Sequence, residues 1–141
     1  MKNTKILSDT VIFGTGAYGY GLIETVYRGY THPSMFLAGG ICLLSLAVLS
    51  QLDKIPFIFK CLLGGAIITA VEFVFGCIFN LGLGMDVWDY SDMPYNILGQ
   101  VCPLFFGIWS LASAAGLKLV SLMMKHLDEG LGIHKTIPRY T

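Results

Sequence analysis

Read as apolar and polar positions, the chain alternates four long apolar runs with three short polar interruptions. The runs lie near 7–28, 35–52, 56–80 and 96–120, and a helix needs about 20 mostly apolar residues to cross a hydrocarbon core. They predict an all-α integral membrane protein, a bundle of four transmembrane helices. Beyond the fourth run the pattern changes. In "LKLVSLMMKHLDEGLG", Lys118, Ser121, Lys125 and Asp128 fall on one face, with Leu117, Val120, Met124, Leu127 and Leu131 around the other. That spacing predicts an amphipathic tail over about 117–131, lying along the interface or leaving the membrane as a plain helix exit with anchoring lysines. The whole of 1–141 then forms a single transmembrane domain.

Composition narrows the class further. The chain is 55% hydrophobic and 13% charged, against about 25% charged in an ordinary soluble domain. In 141 residues no separate soluble catalytic domain is expected beside the helices. The net charge of zero carries no message, but the positions of the charges do. Lys2 and Lys5 precede the first run, Lys54 and Lys60 join the second to the third, and Lys118, Lys125, Lys135 and Arg139 follow the fourth. These are eight of the nine basic residues. The positive-inside rule therefore puts both termini in the cytoplasm and Thr31–Pro33 and Asp86, Asp89 and Asp92 on the outer side. The first run is expected to stay as a membrane helix, since Tyr18 and Tyr20 interrupt it and no small-residue cleavage site follows. Cys42, Cys61, Cys77 and Cys102 lack CxxC spacing and read as buried free thiols. His126 and His134 are expected in solvent, and no metal or cofactor is assigned.

"VIFGTGAYG" contains Gly14, Gly16 and Gly19, a GxGxxG. A dinucleotide site also needs a βαβ unit and an acidic residue about 20 positions on, and nothing acidic lies between Glu24 and Asp53. Glycines in a membrane helix instead admit a close neighbour, and Ala17 with Gly21 has that small-xxx-small spacing.

Two carboxylates inside the runs are the stronger chemical signal. Ala17, Gly21, Glu24 and Arg28 share one helix face, as do Gly65, Thr69, Glu72 and Gly76. Glu24-Thr-Val26-Tyr27 also matches Glu72-Phe-Val74-Phe75 at an offset of 48, consistent with two repeated helix pairs. An ionisable group at membrane depth costs about 2.5–3.5 kcal/mol on insertion scales, so both glutamates should face the bundle interior. They either line a cavity open to the outer side or are neutralised in place, Glu24 by Arg28 and Glu72 by protonation, by Thr69 or by a neighbouring helix.

The segment "WDYSDMPYNILGQ" at 88–100 mixes aromatics, acids and amides between two apolar runs. Trp88, Tyr90 and Tyr95 suit an interfacial aromatic belt. Ser91 or Asp92 before Pro94 suits the start of the fourth helix. Asn96 and Gln100 would then sit one turn apart and face inward with Gly107. With Glu24, Arg28, Glu72 and Asp89 they form a candidate outer substrate or ion site.

"GLIETVYR", "VEFVFG" and "WDYSDMPYNILGQVCPLFFGIWSL" resemble the CmpB-like permease family of small bacterial membrane proteins, the ABC-transporter type IV proteins, over about Gly16 to Leu111. The matching positions are Glu24, Tyr27 and Arg28, then Glu72 and Gly76, then Trp88, Asp89, Tyr90, Ser91, Asn96, Gly99 and Trp109. Gln100 departs from the basic residue expected there. The resemblance implies a permease-like component in the bacterial plasma membrane. It would act as a homo-oligomer or beside other membrane subunits, in the lipid bilayer and without nucleic acid. The chain has no GxxxxGK[ST], so an ATPase would be a separate subunit. Ala112 with Gly116 offers a helix contact for assembly. Two other classes stay open. One is a membrane-embedded lipid-binding or assembly protein in which the glutamates serve structure. The other is an intramembrane enzyme using Glu24, Glu72 or Asp89 as acid or base, although no catalytic constellation is visible and the chain is expected not to be an enzyme.

Overall fold

The apolar runs are helices in the computed structural model, which describes residues 2–132. Helix α1 spans Lys2–Arg28, α2 Pro33–Ser50, α3 Phe57–Phe75 and α4 Pro103–Gly130, with α3 passing directly into a π-helical segment, Gly76–Gly82. Pro33–Ser50, Phe57–Gly82 and Pro103–Gly130 are each long and apolar enough to cross a membrane. The 27 residues of α1 supply the length, but Lys5 and Asp9 near its start and Glu24 and Arg28 near its end make it less apolar. Lys135, Arg139 and His134 lie outside the described residues.

Glycines set how the bundle closes. A Cβ on Gly16 would stand 2.5 Å from the Gly39 carbonyl oxygen, and one on Gly39 would stand 2.5 Å from that of Gly16, so α1 and α2 touch backbone to backbone. The same economy joins α3 to α4, where Gly64 and Gly65 lie against Ser113 and Ser110. Gly21 seats the Phe36 ring and Gly116 seats Leu46, so Gly116 is used inside the chain while Ala112 is exposed. Residues 12, 16 and 21 of α1 meet 43, 39 and 36 of α2; α3 and α4 are likewise antiparallel. The molecule is therefore two antiparallel helix pairs with α2 packed against both α3 and α4.

Two apolar clusters fill it. Ile12, Leu43, Leu46, Leu49, Cys61, Leu117 and Val120 form one at the end bearing the α2–α3 link. Met35, Ala38, Phe75, Val87 and Trp88 form the other, at the end bearing the α1–α2 link. Large apolar side chains face outward, among them Val26, Tyr27 and Leu111, while glutamates, serines and amides are inside. That is the distribution a lipid solvent favours.

One detail differs from the sequence expectation. The fourth helix begins at Pro103, with Cys102 as an extended N-cap residue (φ −150°, ψ 160°), and not near 96. Leu98 and Gly99 have positive φ (54° and 71°), which no helix accommodates, and Ile97 pairs with Val101 as an isolated antiparallel bridge. Pro103 therefore takes the first-turn position that the sequence pattern assigns to Pro94. The amphipathic 117–131 stretch is the end of the same helix. It continues α4 to Gly130, and Leu117, Val120, Met123, Met124 and Leu127 pack on the first cluster.

Candidate functional site

Glu72 lies one turn before the end of α3 and is only 4% exposed. Two other helices supply its partners: the Tyr20 hydroxyl of α1 donates to Oε1 at 2.9 Å, and the Trp109 Nε1–H of α4 donates to Oε2 at 2.8 Å. The Tyr20 and Trp109 rings lie 5.6 Å apart, so the carboxylate closes a three-helix knot. Thr69, one turn earlier, is not a partner. Its Oγ1 is buried with no hydrogen-bond partner among the described residues.

Glu24, one turn beyond Tyr20, is 6% exposed. Arg28 donates from Nη2 to Glu24 Oε1, and the Thr31 hydroxyl donates to Oε2 at 3.1 Å. The other Arg28 nitrogen, Nη1, donates to the Val87 carbonyl at 2.7 Å. Arg28 thus ties the end of α1 to the connection between α3 and α4. Each oxygen of both carboxylates has a donor.

That connection, residues 83–102, folds onto the end of the bundle. Asn80, in the π-helical turn, is its anchor. Its Oδ1 accepts from the Val87 N–H at 2.7 Å, and its Nδ2 donates to the Trp88 carbonyl at 2.9 Å and to Gln100 Oε1 at 2.8 Å. The Trp88 indole N–H donates to the Gln100 carbonyl at 3.0 Å. Gln100 rests against Gly76, where any side chain would collide with it. A basic residue at 100 would offer Asn80 no acceptor. Asn80 makes all three bonds from within the π-helical turn Gly76–Gly82, a type of turn that is frequent at functional sites.

The candidate residues therefore separate into two sets. Glu24, Arg28, Glu72, Gly76, Trp88, Gln100 and Trp109 are gathered in the buried end of the bundle. Asp89, Ser91, Asn96 and Gly99 build the turn above it, the first two exposed, Asn96 half-buried and Gly99 buried: Asp89 Oδ1 accepts from the Ser91 N–H at 2.8 Å, and Asn96 bridges the Ser91 and Met93 carbonyls and the Gly99 N–H. These bonds to Ser91 hold the Asp89 carboxyl below its ordinary range. Asn96 and Gln100 are not one helical turn apart. Trp88 is core and not part of an exposed belt; Tyr90 is half-buried and stacks on Phe105 at 4.5 Å, and only Tyr95 projects outward. Tyr27 points away from the site and is 76% exposed.

Sequence reasoning missed Tyr20, Thr31 and Asn80. Tyr20 stands four residues before Glu24 on the same face, and Asn80 is an amide inside an apolar run, so both signals were present. The GxGxxG lies in mid-helix in α1, where backbone N–H groups are committed to helix bonds and cannot cradle a phosphate. The four cysteines are free, with Cys42, Cys61 and Cys102 buried.

A protein-family model described as "Putative ABC-transporter type IV" matches residues 10–138. The chain belongs to this family. The match takes in α1 from Thr10 onward, the other three helices, the Glu72 knot and the Asn80-anchored connection, and the chain is a membrane protein related to transport. No curated protein and no solved structure matches it.

Proposed function

We propose that the chain is a permease-like, non-enzymatic subunit of a transport assembly in the bacterial plasma membrane. Both termini are cytoplasmic and the Glu24–Glu72 end faces outward. One observation carries the transport role: a carboxylate is kept buried in the bundle by donors from two other helices. Interhelical hydrogen bonds in membranes average about 0.6 kcal/mol, so two of them do not offset the roughly 2.5–3.5 kcal/mol cost of a charge at depth. A residue retained at net cost is the kind that cargo or a coupling proton uses. The glycine contacts close the bundle too tightly for a pathway within one copy, so a second copy or other membrane subunits would supply the missing wall. ATP hydrolysis would come from a separate subunit.

A second reading, an assembly or lipid-binding protein, is favoured by the complete pairing of both carboxylates, which suits a structural role. Native mass spectrometry of gently extracted protein separates the two. The transport reading expects an oligomer or a co-extracted ATPase; a bare monomer with lipid would sink it. Glu72→Gln sharpens the result, because its oxygen can still accept from Trp109 while its amide donates to the Tyr20 oxygen. The variant should fold with nearly unchanged stability yet lose activity of the assembly, whereas unchanged activity returns Glu72 to structure alone.

A further inference from the structure

At the opposite end of the bundle a cavity of about 390 Å³ opens between the end of α2, the start of α3 and α4. This is within the roughly 300–1,000 Å³ of ligand sites. Its walls are Phe57, Leu117 and Leu122, and its charged members are Lys60 and Lys118, with no acidic side chain in the lining. The hydroxyls of Ser50 and Ser121, also in the lining, are spent on the Ala47 and Leu117 carbonyls. The lysines are therefore the side-chain donors. Lys60 Nζ gives one proton to the Ser50 carbonyl at 2.9 Å and keeps two, since an ammonium has three donors. Lys118 is exposed and has no hydrogen bond or ion pair among the described residues. The first turn of α3 also enters here without a side-chain cap, and its free N–H groups add positive potential. Phe57, Ile58 and Phe59, all exposed at this level, place the mouth beside lipid.

We propose that this cavity binds an anionic phospholipid, with the headgroup phosphate between Lys60 and Lys118 and an acyl chain along Phe57, Leu117 and Leu122. A free phosphate leaves the apolar wall unused, and a zwitterionic lipid leaves the two lysines without a net partner charge. Basic pockets between helices recognise anionic headgroups in this way. The site does not depend on the permease role.

The test is native mass spectrometry of the full-length protein in non-ionic detergent with equimolar phosphatidylglycerol and phosphatidylcholine of identical acyl chains. Phosphatidylglycerol should be retained about tenfold or more over phosphatidylcholine. Lys118→Gln should reduce that preference about fivefold, the weight of one basic residue near an anionic surface, and Lys118→Arg should restore it. Lys118 is exposed and makes no hydrogen bond or ion pair among the described residues, so its loss should leave the fold intact even if Lys60→Gln loosens the α2 end. Equal retention of the two lipids, or a preference that survives Lys118→Gln, would overturn the proposal. So would full displacement of the lipid by inorganic phosphate, which would reveal a simple anion site.

Discussion

Asn80 is buried and anchors the connection between α3 and α4. One amide satisfies the Val87 N–H, the Trp88 carbonyl and the Gln100 side chain, each bond worth about 1 kcal/mol, and a buried donor left alone costs about 1–3 kcal/mol. Asn80→Leu should therefore destabilise the protein by roughly 3 kcal/mol, with hydrogen exchange rising over 83–101 while α1 and α2 stay protected; protection unchanged in that segment would show that the connection is held by other means. Glu24 and Glu72 were legible in the sequence because a titratable group in an apolar run must turn inward. Arg28 was legible as the partner of Glu24, one turn along the same face, but the donors Tyr20, Thr31 and Trp109 were not, since they come from other elements. Trp88 misled for a related reason: an aromatic beside acids suits an interface, and only its bond to the Gln100 carbonyl shows it to be core.

Among elements, the helices followed their apolar runs because each run is long enough to satisfy its own backbone in lipid. The start of α4 did not, since two prolines competed and the left-handed backbone at Tyr95, Leu98 and Gly99 disqualified the earlier one. Nor did the sequence separate the glycines of α1, of which Gly16 meets another backbone while Gly14 and Gly19 face open space. Gly39→Val should force α1 and α2 apart and cost about 1–3 kcal/mol, read as a fall in the thermal midpoint. Gly19→Ala should be neutral or slightly stabilising, as expected for a helix glycine with room beside it. Equal effects of the two changes would contradict backbone contact at the Gly16–Gly39 crossing.

For the whole molecule, sidedness is the main consequence still open to measurement. The links alternate between the two ends of the bundle, and among the described residues the lysines gather at the end holding Lys54, Lys60 and Lys118, with Arg28 at the other. In a background without native cysteines, Ser91→Cys should react with a membrane-impermeant thiol reagent in intact cells and Lys54→Cys only after lysis; labelling of both from outside would reverse the orientation. Membrane class, helix number and inward-facing carboxylates were determined by the sequence alone, because hydrophobic length and the cost of charge in lipid act on each segment separately. The tertiary structure alone decided that Tyr20 and Trp109 meet Glu72 and that Thr31 joins Arg28 at Glu24, how the 83–102 connection seals the end, and where the lysine-lined cavity opens. Those features depend on side chains far apart in the chain and on a π turn that no local pattern announces.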